Sequence, residues 1–387
     1  MHIFIIAAGL VLIFAVLLDA FETIVLPRRV RREFRITSSF YRNTWRPWRR
    51  FAGHIKGTTR RENFLGYFGP LSILLLLALW AFCLILGFAL LQYGFGKHVQ
   101  LGSEKVNLWT VLYLSGETFF TLGLGDVLPT ATPGRILTVL EGGMGFAFLG
   151  VVIGYLPTIY SAFSRREIEI SLLDARAGSP PTAAEFLVRI GGCAQQGVLD
   201  EIFKDWEHWS AEVLESHLSY PALSFFRSQH SNQSWLGALT TMLDTTSLVI
   251  SGFDGIRNEQ AKITFAIARH AAVDLAQVVN ARFDPNNSSN RLPPQELIRL
   301  REVLNKRGLR LAETPEAQKK LAHLRSLYEP YVAGIARNLF ITLPPWIHSE
   351  KKKDNWQAGP WDKLIQAGNP ASGRPEGEGL QPIEDHF

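Results

Sequence analysis

Three runs of this chain are apolar over enough residues to cross a bilayer, and a fourth, between the second and third, is not. The long runs are residues 3–26, 71–91 and 136–163. A helix rises ~1.5 Å per residue, so about 20 residues cover a hydrocarbon core of ~30 Å. The run at 108–120 is too short for that. Backbone in lipid must satisfy its own hydrogen bonds, so the long runs are predicted as helices. The short one fits a re-entrant helix whose ends are sheltered by protein or water. The pattern dictates an all-α membrane architecture for the first 163 residues. The first run lacks a basic n-region and a clear small-x-small site, so a retained helix over 1–27 is favoured over a cleaved leader.

The chain carries a formal net charge of +5. Positive charge concentrates in one segment, 28–64, including Arg28, Arg29, Arg31, Arg32, Arg42, Arg46, Arg49, Arg50, Lys56, Arg60 and Arg61. Such a segment beside membrane helices reads as a cytoplasmic loop. Aromatic residues interleave with it (Phe40, Tyr41, Trp45, Trp48, Phe51), as in an amphipathic helix on an anionic lipid surface. A nucleic-acid partner is therefore not expected. The outer turns carry few basic residues, so the N-terminus is expected outside and the C-terminus in the cytoplasm. Asp19 and Glu22 close the first run, where neighbouring arginines can pair with them. Structural pairing is expected there ahead of voltage or proton sensing.

After the short run comes Thr118-Phe119-Phe120-Thr121-Leu122-Gly123-Leu124-Gly125-Asp126. A backbone that aims successive carbonyls at one axis needs alternate residues in angles that glycine tolerates cheaply. Gly123 and Gly125 have that alternation. In this setting the string resembles the selectivity filter of bacterial single-pore potassium channels, and the resemblance runs from about residue 71 to 166. It implies a pore domain at 65–165, with outer helix 71–91, pore helix 108–120, filter 121–126 and inner helix 136–163. It also implies K⁺ as the permeant ion, with no cofactor. Oxygens of Thr121, Leu122, Gly123 and Leu124, together with Gly125, would replace the ion's water. Glu117, Thr118 and Asp126 would brace the filter, with one proton shared between the two carboxylates. One filter per chain implies a homotetramer, and the family's setting implies a bacterial inner membrane.

The sequence departs from the family at Leu124, where a tyrosine is usual. The pore-helix positions that would bond that tyrosine are Tyr113 and Leu114. Apolar packing by Leu124, Phe119 and Phe120 is expected instead, so selectivity could be weaker or conduction lost. Glu141, inside the third long run, is expected to hydrogen-bond behind the pore helix. Gly145 matches the family's gating hinge, but close helix packing explains it equally well. Pro157 is a candidate gate kink or a simple helix break.

Residues 166–348 read as an all-α cytoplasmic domain. Helices are predicted at 183–190, 199–218, 236–250, 258–279, 294–306 and 315–336, with Gly178-Ser179-Pro180-Pro181 as the entering linker. No phosphate-binding glycine motif follows a strand, so an unidentified cytoplasmic ligand is left open. His208 and His217, near Asp205 and Glu207, match no metal motif, and Cys83 and Cys193 fit neither a disulfide framework nor a metal site. A membrane-anchored receptor or enzyme acting through 166–347 is the rival reading. The tail at 349–387 is expected to be disordered.

Overall fold

The computed structural model describes residues 2–26, 35–95, 99–101, 107–191, 196–230, 232–253, 256–281 and 290–348. The tail at 349–387, Cys193 and the arginines at 28, 29, 31 and 32 lie outside them. The chain is an all-α membrane protein, relieved among the described residues by one short ribbon and an isolated bridge between Phe253 and Leu311. It divides into two units. The first holds Met1–Arg165 with Val213–Arg227, and the second holds Arg166–Glu212 with the described residues from Ser228 onward.

In the first unit, α1 (His2–Ala20) continues through a π-helical turn, Phe21–Val25, and packs along α4 (Phe68–Gly94). The crossing is close because glycines make it. A Cβ at Gly9 would meet the Gly87 carbonyl at 2.7 Å, and one at Gly94 would meet Ile6 at 2.5 Å. Small residues give membrane helices this approach where water supplies no driving force. The basic segment forms α2 (Ile36–Ala52) and α3 (Thr58–Gly66). Asp19 joins three of these helices. Its fully buried Oδ2 accepts from the Thr37 backbone N–H (3.0 Å), the Thr37 hydroxyl (2.6 Å) and the Trp80 indole (3.1 Å). Arg35 stands 3.9 Å from Asp19 and 3.5 Å from Glu22. The expected pairing with arginine is thus one part of a wider knot.

Strand β1 (Val99–Leu101), α5 (Leu108–Phe119), β2 (Val127–Pro129) and α6 (Thr132–Ala177) complete this part of the chain. β1 and β2 pair antiparallel, Gln100 opposite Leu128, a ribbon the hydropathy pattern did not predict. Helix α6 corrects the predicted inner-helix end at 163. It runs through Pro157 to Ala177 and stops where Gly178 takes φ +83°. Hydropathy marks where the apolar surroundings end, whereas the helix persists until its backbone is broken.

Val213–Arg227, read from sequence within the 166–348 region, packs in the first unit. The Phe225 ring stacks on Tyr41 at 5.3 Å and touches Trp45 and Phe68 at 5.1 and 5.2 Å. Phe226 lies over Gly69, where a Cβ would come within 2.7 Å, and against Phe163 on α6. Arg227 pairs with Glu62 at 3.4 Å. Tyr41 and Trp45 of the basic segment therefore face protein, which narrows the expectation that its aromatics lie on lipid.

The second unit is built round α9 (Trp235–Ser251), every residue of which is buried. Its polar side chains tolerate this because they bond to their own helix. Thr240, Thr245 and Ser247 donate to carbonyls four residues back at 2.6–2.7 Å. Asp244 receives both nitrogens of Arg291 (3.1 and 2.5 Å) and the Tyr328 hydroxyl (2.5 Å). Burial is the larger influence on this carboxyl and raises it above its ordinary range, with Arg291 pulling against it. Around α9 lie α7 (Ala183–Phe186), α10 (Glu259–Val278), α12 (Pro315–Ser326) and α13 (Glu329–Leu339); α8 (Gln196–Ser219) and α11 (Pro294–Asn305) complete the helices. The predicted helix at 315–336 is two helices, because Pro330 suits the first turn of a new one.

Candidate functional site

Helix α5 starts cleanly. Asn107 accepts from the Thr110 backbone N–H at 3.0 Å, and Thr110 returns a bond to the Asn107 backbone. At its other end the chain turns sharply. Thr121 N–H donates to the Thr118 carbonyl (3.0 Å) and Leu122 N–H to the Glu117 carbonyl (2.7 Å). From there the backbone alternates in hand. Thr121, Gly123 and Gly125 have φ of +57°, +62° and +79°, while Leu122 and Leu124 between them do not have positive φ. Alternation of this kind turns successive carbonyls to one side. Nothing lies within 4 Å of where a Cβ would stand on either glycine, so backbone angle, not crowding, is what calls for glycine there. Thr121 is β-branched and in the same region, a strained choice.

Side chains hold the turn from behind. Glu117 is buried, and its Oε2 accepts the Leu124 backbone N–H at 3.2 Å. Asp126 accepts from its neighbour Val127 N–H (3.1 Å) and from the Tyr113 hydroxyl (3.2 Å to Oδ2). The resemblance implied a proton shared by Glu117 and Asp126. Here each carboxylate has its own partner, and no bond joins the two among the described residues. Of the packing expected in place of the aromatic cuff, one chain by itself forms the Phe119–Phe120 part. Phe119 is buried edge-on against Phe120 at 5.4 Å, but Leu124 is 64% exposed in the single chain. The brace from α5 is polar and comes from Tyr113, whose hydroxyl reaches Asp126.

Behind α5, Glu141 is fully buried on α6. The Ser115 hydroxyl lies between Glu141 Oε1 and the Ile85 carbonyl (2.7 Å), linking the three helices. A Cβ on Gly145 would stand 1.9 Å from the Phe119 carbonyl, so α6 meets the end of α5 backbone to backbone. Of the two explanations offered for Gly145, close packing has this direct support. Pro157 is exposed and inside a continuous helix. A Cβ on Gly142 would stand 3.9 Å from Thr118. Sequence reading did not find Ser115 or the Tyr113 hydroxyl as partners. Both signals are single polar atoms on an apolar helix, and only the fold supplies their acceptors. His217 Nδ1 lies 2.8 Å from the Val213 carbonyl, in a different unit from His208 and Asp205.

Residues 74–161 match the sequence profile described as ion channel.

The match is to the two-helix ion-channel family and covers those residues alone.

A relative from Bacillus subtilis (strain 168), the "Uncharacterized membrane protein YdjJ", is 28% identical over 126 residues. The matched stretch is 32% of this chain and 35% of that protein, so the chain spans about a third of the relative's length. No solved structure matches. Among the described residues, three helical stretches, His2–Val25, Thr58–Gly94 and Thr132–Ala177, are long and apolar enough to cross a membrane.

Proposed function

We propose that the chain is the subunit of a homotetrameric, K⁺-selective channel that conducts passively. The observation that carries this reading is the alternation of backbone hand at 121, 123 and 125, seated at the C-terminal end of α5. Thr121, Leu122, Gly123 and Leu124 supply the oxygens that replace the ion's water, and Gly125 ends the ladder. The negative end of the α5 dipole favours a cation beside Thr121, and four copies reinforce one another. Glu117, Thr118, Asp126, Tyr113 and Glu141 hold the loop. The basic segment lies on an anionic cytoplasmic leaflet of a bacterial inner membrane, with the N-terminus outside. Gating is a motion of α6 at Gly145 and Pro157, biased by the second unit and by a ligand it binds there. The chain acts as a conduit, not as an enzyme.

The test is ion flux through purified protein in liposomes with opposed K⁺ and Na⁺ gradients, beside Gly123→Asp. K⁺ flux well above Na⁺ flux, abolished by the substitution, is the expected result. Equal passage of both ions would trace to Leu124 and make the pore a weakly selective one. Flux that survives Gly123→Asp would remove the filter from the reading. Crosslinking across the inner mouth that finds no movement between open and closed conditions would overturn the gating step.

A further inference from the structure

The first unit contains an apolar groove of about 450 Å³ where the basic segment meets the start of α4. That volume is within the ~300–1,000 Å³ usual for ligand sites. Pro47, Trp48 and Phe51 line it from α2, Phe64 from α3, and Leu71 and Leu75 from α4. Phe51 is 71% exposed, and Leu71 and Leu75 are also exposed. Two hydroxyls reach the walls, and both are already used. Thr44 donates to the Phe40 carbonyl (2.8 Å) and Ser72 to the Gly69 carbonyl (2.7 Å). The walls thus offer a polar ligand little, and a hydrocarbon chain a great deal.

The rim is different. Asn43 lines the groove and is exposed. Arg46 and Arg50 are not part of the lining, but each follows a lining residue of α2, Asn43 and Pro47, by three positions, the spacing of neighbours on a helix surface. Both arginines are exposed, and neither is in an ion pair among the described residues. Every charged residue from 35 to 61 is basic, and the next acid, Glu62, is paired with Arg227. An apolar slot with a cationic rim, at the end of a membrane-spanning helix, is complementary to one amphiphile with an anionic head.

We infer that this groove is a binding site for an anionic phospholipid, with an acyl chain along Trp48, Phe64 and Leu71 and the phosphate at Arg46 and Arg50. The inference rests on the reading that the basic segment meets an anionic leaflet, and sharpens it from a general attraction to a defined site. Two terms hold the lipid. Burial of the chain is sensitive to the shape of the groove, and attraction of the head is sensitive to charge.

Native mass spectrometry of the full-length protein, purified in detergent and given phosphatidylglycerol or phosphatidylcholine, separates the two terms. The wild type is expected to retain phosphatidylglycerol in preference. Leu71→Trp fills the groove without touching charge and should lower retention at least about tenfold. The pair Arg46→Gln with Arg50→Gln should lower it about thirtyfold. Far-UV circular dichroism checks folding, and Leu75→Trp replaces Leu71→Trp if the latter misfolds. If the charge variant loses lipid but neither groove-filling variant does, the attraction is general and the site is overturned while the leaflet reading survives. Equal retention of both lipids, or of neither, overturns both. Absence of lipid together with a groove-filled variant that dissociates assigns the groove to a second copy of the chain. Conduction is not the readout, so the outcome is independent of the channel proposal.

Discussion

The candidate filter loop and the helix crossings of the same unit both depend on glycine, for opposite reasons. At Gly123 and Gly125 the backbone is left-handed and the space around each missing Cβ is open. At Gly145, Gly9 and Gly87 no left-handed angle is involved, and a neighbour occupies the space: the Phe119 carbonyl, the Gly87 carbonyl and Ile13 respectively. In the proposed channel the first kind of glycine shapes the ion's path and contributes little packing. The second kind lets helices touch and has no view of the path. A substitution at the first should therefore damage conduction more than stability, and at the second stability first.

The largest effect on stability is expected at Gly145→Ala. The added methyl would stand 1.9 Å from a backbone oxygen that cannot swing away. Overpacking of this kind costs about 1–3 kcal/mol or more, read as a lower unfolding temperature of the purified protein. An unchanged melt would break the comparison at its firmest point and leave Gly145 only the hinge role proposed for it. Next comes Gly123→Ala. Forcing an L side chain into a left-handed angle costs about 1–2 kcal/mol, yet K⁺ flux in liposomes should fall to background. Persisting flux would mean that the loop's conformation does not govern the path.

Tyr113→Phe sharpens the same contrast by removing one hydroxyl and no volume. It should cost about 1 kcal/mol and free Asp126 from the pore helix. The K⁺/Na⁺ ratio, from reversal potentials, should drop while helix content by circular dichroism stays constant. The smallest effect is expected at Gly143→Ala, where nothing lies within 4 Å in the single chain. It should alter stability by about 0.5 kcal/mol or less. A large loss of the proposed tetramer there, by native mass spectrometry, would place another subunit against that face.

Much of the first unit was legible because membranes impose a length and a hydropathy that sequence displays directly. The long runs, the short α5 and the handed alternation at Gly123 and Gly125 all follow from local rules. Three errors share one cause. The end of α6, the division of 315–336 and the packing of Val213–Arg227 in the first unit depend on where the chain meets other parts of itself. Phe225 and Phe226 look like any surface-loop aromatics until Tyr41, Phe68 and Gly69 are placed around them. The second unit was legible only as helices. Asp244 sits in an otherwise ordinary stretch of α9, and Arg291 and Tyr328 come to it from 47 and 84 residues away.

Sequence alone determined the backbone chemistry of the candidate filter and the segments able to cross a membrane, because glycine's conformational freedom and apolar length act within a few residues. Only the tertiary structure decided which partner each lone polar atom would find. Ser115 met Glu141, Tyr113 met Asp126, and Asp19 met Thr37 and Trp80. A hydrogen bond requires two groups within about 3 Å, and separation along the chain says nothing about that distance.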